Sequence, residues 1–525
     1  MKKSIIAAIA LAACATPALA GGFLTNSNQT ASFGRFFALE GYRSVEGAYY
    51  NPAGIGFLPQ GWHLAFNNQS AFQTRTAIST FAPYAAGDGN NGAISKKFKG
   101  TATAPILPAL DVAYVGNNGW FGSAHIGIVG GGGKCEFNDG IGTFESVVAM
   151  MPTALNGLSN VMMGSNLVDP SYYAMDSYMR GKQFFVGAQI MAGYKFKPGI
   201  SVSLGGRLVY ATSNYYGYVD NIRFRTATPL PTASGVVPAG TIVGAQDLIN
   251  AAAGALGKPA LAAMGDMISH VEVNCDQKGW GFAPIVAVAY NRGPLSIGAR
   301  YEFKTRLRMK NQSSTTAEQA ALLHNVAEYQ DGIKVPNDIP ALLAVGATYD
   351  FLPNLRAGLS AHYYFDKQAR QWNNKQDLLK HNTWEILAGV EWDVTDQWTV
   401  SAGGQTTNYG LGKDKGYISD VSFVTSSYSL GLGAKYKIND RIALNASYFK
   451  TFYYSTRKTQ ADYNGIGGTL KNIVGMAATN GLITPEQATA IATNMSTPEA
   501  KALVQGNDLF DRTNDVVSIG VEFSF

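Results

Sequence analysis

The sequence predicts an all-β fold, a transmembrane antiparallel β-barrel of about fourteen strands, with an N-terminal segment packed inside it. Three observations lead there. Charged residues make up only 15% of the chain, while Gly (59) and Tyr (27) are abundant; a soluble chain of ordinary composition carries about 25% charged residues. After residue 20 no apolar run is long enough to span a bilayer as a helix. Long stretches instead alternate apolar and polar residues, and the links between them are alternately short and long. A secreted chain without spanning helices has one way to cross a membrane, the closed barrel, because hydrocarbon leaves no backbone polar group unpaired.

In chain order, residues 1–20 read as a secretory signal: Lys2 and Lys3, an apolar core over 5–13, and Ala18-Leu19-Ala20 as a small-x-small site cut before Gly21. Leu11-Ala12-Ala13-Cys14 offers a second, lipoprotein-type cleavage, with Cys14 as the lipidated residue. The formal net charge is +5; removing the two signal lysines leaves about +3, so no nucleic-acid partner is expected.

Residues 21–60 follow as a unit of their own, ahead of a barrel over 61–525. Within them 45–58 is rich in glycine and apolar residues. Asn51-Pro52 favours a turn, because proline fixes φ and biases the residue before it away from the helical region. Gly54 and Gly56 allow tight bends. The stretch reads either as a surface turn or as a compact knot able to plug a barrel; the barrel that follows favours the plug.

Strands are expected near 61–73, 108–116, 119–130, 183–197, 200–215, 277–291, 294–310, 339–351, 354–367, 382–394, 397–409, 422–438, 441–455 and 513–525. In 295–310, Leu295, Ile297, Ala299, Tyr301, Phe303, Leu307 and Met309 share one face. Arg300, Glu302, Lys304, Arg306 and Arg308 share the other. Some 16 residues of alternation exceed the usual soluble strand. Trp384, Trp392 and Trp398 fall near strand ends, as interfacial girdles require. The short links are 116–119, 197–199, 291–294, 352–353, 395–396 and 439–440, all with turn chemistry. They read as periplasmic turns, and the long links between them as extracellular loops.

Several long loops look helical. Thr315 to Glu318 has capping-box spacing, Thr484-Pro485-Glu486-Gln487 a cap with a first-turn proline, and Thr497-Pro498-Glu499 repeats it. Loops 147–163 and 251–267 are rich in Ala, Met and Leu, which points to a packed cap or a landing surface for apolar ligands. Cys135 and Cys275 lie in regions read as loops, as a disulfide or as two buried thiols. The chain ends in apolar alternation up to Phe525, resembling the terminal strand that outer-membrane barrels present to their assembly machinery.

Taken together, these residues resemble the FadL/TodX family of outer-membrane transporters for long-chain fatty acids and other hydrophobic compounds. The resemblance is carried by Gly21-Gly22-Phe23-Leu24 through Ser32-Phe33-Gly34-Arg35, by Tyr50-Asn51-Pro52-Ala53-Gly54, by Lys278-Gly279-Trp280-Gly281-Phe282 with Leu295-Ser296-Ile297-Gly298, and by the closing strand from Asp515. It implies a fourteen-stranded barrel with an internal hatch and energy-independent uptake of a hydrophobic substrate. It also implies a kinked third strand that opens the wall sideways, here at Gly127, Gly130 and Gly131. Arg300-Tyr301-Glu302-Phe303 and Gly41-Tyr42-Arg43 depart from the family pattern.

Candidate site residues follow. Asn51, Pro52, Ala53 and Gly54 form the hatch turn. Phe23, Leu24, Phe33, Phe36 and Phe37 are expected to line an apolar pocket. Arg207, Arg300, Lys304 and Arg306 face the lumen, where each can hold a ligand carboxylate or pair with Glu302 or Glu391. No nucleophile elbow, zinc motif or paired Cys-x-x-Cys occurs, and the six histidines are scattered. No cofactor and no metal is therefore expected. Expected partners are hydrophobic small molecules or fatty acids, outer-membrane lipids and, through Phe525, the assembly machinery, with the chain a monomer. Competing readings are a general porin for polar solutes and an outer-membrane hydrolase.

Overall fold

Period-two alternation is carried directly into three dimensions. The computed structural model describes residues 23–196, 199–232, 235–259, 261–262, 270–315, 328–420 and 422–525. The signal segment 1–20, Cys14 and the cleavage point lie outside these, as does most of the helix expected after Thr315. Fourteen antiparallel strands close into a barrel.

The first six are β1 (Gly61–Phe81), β2 (Ser95–Val115), β3 (Trp120–Phe137), β4 (Val168–Phe196), β5 (Ile200–Thr226) and β6 (Val271–Arg292). Strand β7 runs as Leu295–Glu302 and resumes as Arg308–Ser313; β8 is Lys334–Pro336 and Leu342–Leu352. Then come β9 (Leu355–Tyr364), β10 (Thr383–Asp393), β11 (Trp398–Asn408), β12 (Ser427–Asn439), β13 (Ile442–Tyr453 with Thr456–Gln460) and β14 (Gly506–Ser524). Each pairs with its neighbour, and β14 pairs with β1 along its length. Trp62 and Phe525 close the seam, Trp62 N–H donating to Phe525 O at 3.1 Å and Phe525 N–H to Trp62 O at 2.9 Å.

The outer face is apolar. On β6, Trp280, Phe282, Val286 and Val288 are exposed, whereas the intervening Gly281, Ala283, Ile285 and Ala287 are buried. In water such a surface would be costly; in hydrocarbon it is matched. Aromatic pairs collect at the short-turn end: Trp62 with Tyr114 (4.9 Å between centroids), Trp120 with Tyr194 (5.1 Å) and Trp398 with Tyr436 (4.7 Å). Tyr210 with Trp280 (4.6 Å) and Tyr428 with Phe452 (5.0 Å) lie nearer the long-loop end. These are the two girdles of a spanning barrel.

The structure corrects several expectations. The wall is taller than alternation indicated: β4 has 29 residues and β5 27, against 10 in β9. Beyond the membrane the outer face turns polar, so the period-two contrast fades while the ladder continues. The strand expected over 294–310 is interrupted between Glu302 and Arg308. One extra residue there inverts the faces: Glu302 and Thr305 are both buried, so even positions face inward before the break and odd positions after it. Arg306 is therefore exposed on the outside, not in the lumen, and Leu307 and Met309 are buried inside. Cys135 and Cys275 lie within β3 and β6 rather than in loops, as free buried thiols.

Helices cap the tall side. They are α3 (Gly142–Met163), α4 (Ala245–Ala255) and α5 (Ile466–Thr479), following two short helices of the N-terminal segment, α1 (Ala31–Phe36) and α2 (Gly47–Tyr50). Last come α6 (Pro485–Asn494) and α7 (Pro498–Leu503). Thr484 and Gln487 form the expected capping box: Gln487 N–H donates to Thr484 Oγ1 at 3.3 Å, and Thr484 N–H to Gln487 Oε1 at 2.8 Å.

Residues 23–42 and 45–56 are buried against the inward faces of the strands. A belt of glycines permits this. Gly358 pairs with Gly389, Gly389 with Gly403, and Gly403 with Gly431, across β9 to β12; Gly298 pairs with Gly346 across β7 and β8. A Cβ at Gly389 would stand 2.0 Å from Phe36 O, at Gly431 2.2 Å from Gly34 O, and at Gly298 1.9 Å from Glu40 O. Backbone lies on backbone, so no side chain can turn aside. Gly389→Val is expected to leave a heat-modifiable barrel but loosen the N-terminal segment, overpacking costing about 1–3 kcal/mol. Proteolysis at the segment measures this; wild-type protection in the variant would contradict it.

Candidate functional site

The site begins with a defect in the wall. Strands β2 and β3 pair from Val115↔Phe121 to Leu110↔Ile126, then not again until Thr103↔Lys134. Between these points, 104–109 and 127–133 are without cross-strand partners in this pair. Two local causes combine. On β3, Gly131 (φ 64°) and Gly132 (φ 106°) adopt left-handed conformations that bulge the strand, and its register on β4 slips twice, at Ile128/Gly130 and Gly131/Gly133. On β2, Pro105 and Pro108 have no N–H to donate, and the register on β1 slips at Gln69/Ala71. The glycines were anticipated; the prolines were not, although two prolines three residues apart inside a strand were signal enough.

The N-terminal segment closes this gap from inside. Asn26 N–H donates to Val129 O (2.8 Å), and the side-chain amides of Asn26 and Gln29 both donate to Ile128 O (2.9 Å each). The carbonyls that β2 leaves unpaired thus find donors. Gly127 and Gly130 allow the approach: a Cβ would stand 2.5 Å from Gln29 Oε1 and 2.5 Å from Leu24 O, respectively.

A short relay ties the gap to the Asn-Pro turn. Asn51 Oδ1 accepts from Gly54 N–H at 3.0 Å, closing the turn over Pro52 and Ala53. Just before it, Tyr50 OH donates to Ser27 O (2.8 Å) and accepts from Gln29 N–H (2.9 Å), while Tyr49 OH donates to Asn26 O (3.2 Å). The two tyrosines of α2 therefore hold Asn26 and Gln29, the two residues that close the gap, and Ser27 between them.

Ion pairs latch the segment to the opposite wall. Arg207 and Arg300 flank the Tyr49 ring at 4.8 and 4.9 Å. Arg207 binds Glu302 through two bonds of 2.7 and 3.0 Å, and Arg300 donates to Tyr49 O. Both expected head-group residues thus hold Glu302 and the segment, the alternative open in the sequence. Arg35 on α1 pairs with Glu391, which also accepts from Tyr42 OH (2.7 Å) and Arg356 (2.6 Å). His362 sits between Glu40 (2.8 Å) and Glu385 (3.0 Å). Lys304 lies apart, donating to Gln368 O at 2.8 Å, and Arg306 is outside the barrel.

Two cavities lie above the segment. The outer is almost wholly apolar, formed by α3, α4 and α5 with Met150, Met151, Met162, Met163, Leu256 and Leu470 among its walls. The inner, about 110 Å³, is mixed: Phe23, Leu24, Phe423 and Val424 meet Glu328 and Lys375. Burial pushes the Lys375 ammonium below its usual range and the Glu328 carboxyl above it. Of the expected pocket phenylalanines, Phe23 lines this cavity. Phe33, Phe36 and Phe37 are fully buried instead, with Phe33 against Tyr50 (5.7 Å) and Phe37 against Phe449 (5.6 Å).

No protein-family model and no curated protein matches this sequence. A solved structure described as a Pseudomonas aeruginosa FadL homologue aligns with 96% of this chain and 100% of its own, with TM-score 0.57 and 14% identity. The chain has the fold of that FadL homologue. The Pseudomonas putida toluene transporter TodX aligns with 96% of this chain at TM-score 0.46 and 12% identity, covering 100% of its own length. With that fold, a closed barrel and an apolar outer wall, the protein is a bacterial outer-membrane β-barrel.

Glu46, at the head of α2, is placed to make the docking of the N-terminal segment depend on pH. It is buried beside Glu522, Asp111, Ser32 and Arg35, and burial first, then the Glu522 charge, pushes its carboxyl up to about 8 from 4.5. The docked segment holds a proton that the released segment gives up near 4.5. Docking is therefore strongest below that pH and weakens as pH rises towards 8. Protease accessibility of residues 23–58 is expected to rise between pH 5 and 8 in wild type and to stay flat in Glu46→Gln; the same slope in both would contradict this.

Proposed function

We propose that this chain is an outer-membrane channel for passive uptake of hydrophobic molecules such as long-chain fatty acids. Residues 21–60 act as its hatch, within the barrel of 61–525. The observation that carries the reading is the gap between β2 and β3, closed from inside by hydrogen bonds from Asn26 and Gln29. A water-filled pore gains nothing for an apolar solute, because leaving water is favourable and returning is not. A gap at bilayer height offers an exit without re-wetting. The solute is captured in the methionine-rich outer cavity, whose flexible side chains adapt to varied shapes. It then passes to the inner cavity against Phe23 and Leu24. Displacement of residues 24–29 uncovers Ile128 and Val129, and the solute leaves sideways into the membrane. The likeness to a FadL homologue supports the reading through its fold.

The general-porin reading is the weaker, because segment 23–56 packs against the interior where a polar solute would pass. The hydrolase reading is weaker still: the serine that stands beside a histidine, Ser524 with its Oγ 3.0 Å from His63 Nδ1, is not part of a triad, because the other ring nitrogen meets Pro59 O at 2.8 Å and not a carboxylate. We assign outer-membrane lipids to the apolar wall and the barrel-assembly machinery to the strand ending in Phe525, with the chain acting as a monomer.

Two experiments test the route. Asn51→Ala with Pro52→Ala is expected to leave a folded barrel and reduce hydrophobic uptake several-fold, because the turn no longer holds the tyrosine relay; unchanged uptake rejects the hatch as gate. A Cβ at Gly133 would lie 3.7 Å from that of Ala104, within disulfide range. Ala104→Cys with Gly133→Cys, in a background lacking Cys135 and Cys275, clamps β2 to β3 at the outer end of the gap. Oxidation is expected to block uptake without weakening substrate binding. Uptake surviving a clamp shown to have formed overturns lateral exit.

A further inference from the structure

Arg75 has no evident structural task. It points inward from β1 with 0% of its surface exposed, and none of its three guanidinium nitrogens has a hydrogen-bond acceptor among the described residues. Directly opposite in the ladder, on β14, stands Arg512. Arg512 donates to Gln73 Oε1 at 2.7 Å and stacks on the Tyr453 ring at 4.9 Å. The ionisable groups facing Arg75 are Arg512, the Cys135 thiol and the Tyr453 phenol, with no carboxylate among them. Two like charges side by side in the interior are costly, and the usual remedy is an anion between them.

The surroundings say what kind of anion. On one side of Arg75 and Arg512, Ala71 and Val516 belong to the apolar cluster that holds Leu24 and Leu107. On the other, Ala77 and Phe510 pack against Ile418 and Phe423. Leu24, Ile418 and Phe423 also line the inner cavity. A narrow cationic band thus lies between two apolar layers that adjoin a cavity. A guanidinium presents paired N–H groups that match a carboxylate in one plane, and the flanking layers suit a hydrocarbon chain.

We propose that Arg75, with Arg512 beside it, binds the carboxylate of an amphiphilic ligand whose chain lies in the adjoining apolar layers. The inference rests on the uptake function above and names its polar recognition point, which is not Arg207 or Arg300. The test is equilibrium binding to the full chain in non-ionic detergent, by calorimetry, with dodecanoate and dodecanol as probes. Wild type is expected to prefer dodecanoate, and Arg75→Met to lose about tenfold in dodecanoate affinity with dodecanol unchanged. Arg75→Lys, which keeps the charge but not the fork, is expected to fall between, and it serves if the methionine variant fails to fold by heat-modifiable mobility. An unchanged dodecanoate-to-dodecanol ratio in both variants overturns the site. Acetate or chloride raising the wild-type unfolding temperature as much as dodecanoate shows a bare-anion site and overturns the head-group assignment. Because the readout is binding, failure of hydrocarbon uptake in proteoliposomes would reject the function separately.

Discussion

A barrel wall in hydrocarbon must pair every backbone N–H and C=O, and here it does not do so by strand pairing alone. Two carbonyls of β3, at Ile128 and Val129, have no strand partner on the β2 side and are met instead by Asn26 and Gln29 of the N-terminal segment. The rest of the interior is arranged to keep those donors in place. The tyrosines of α2 bind residues 26–29, the Asn51 turn sets α2, Arg207 and Arg300 clamp Tyr49, and the glycine belt lets the segment lie flat on the far wall. Wall and segment are two halves of one hydrogen-bonded structure.

The energetic balance favours a segment that is held firmly but can be released. Its ion pairs are buried, so removing one partner costs about 3–5 kcal/mol. The contacts at the gap are three neutral hydrogen bonds, each worth roughly 0.5–1.5 kcal/mol net. The segment's ion pairs to the wall are Arg35 with Glu391 and Glu40 with His362, and both lie outside residues 24–29. Motion confined to residues 24–29 costs less than expulsion of the whole segment, and only the former is needed to uncover the wall.

Much of the barrel was legible because period two and turn chemistry are local. The short links follow from turn chemistry and the outward aromatics from alternation. Failures came where a local rule was broken by one residue or extended beyond the membrane. Nothing local marks the extra residue between Glu302 and Arg308, yet it moves Arg306 from lumen to outer surface. The tall walls of β4 and β5 were missed because contrast between faces ends where hydrocarbon ends. The glycine belt was visible as composition but not as a belt, since Gly389 and Gly403 become neighbours only once the register is known. Arg75 was unremarkable in sequence, because a guanidinium without an acceptor is a property of three dimensions.

The central claim is that the segment between Leu24 and Gln29 leaves the β3 carbonyls when an apolar solute passes. Spin labels at Thr25 and at Ile106 on the outer face of β2 would report that distance by pulsed electron resonance in bilayers. The account predicts a single short distance without ligand and a longer, broader distribution when a hydrocarbon or fatty acid is added, with labels at the exposed Arg43 of the segment and Phe351 of the far wall unchanged. An identical distribution with and without ligand, under conditions where uptake is demonstrated, would contradict it.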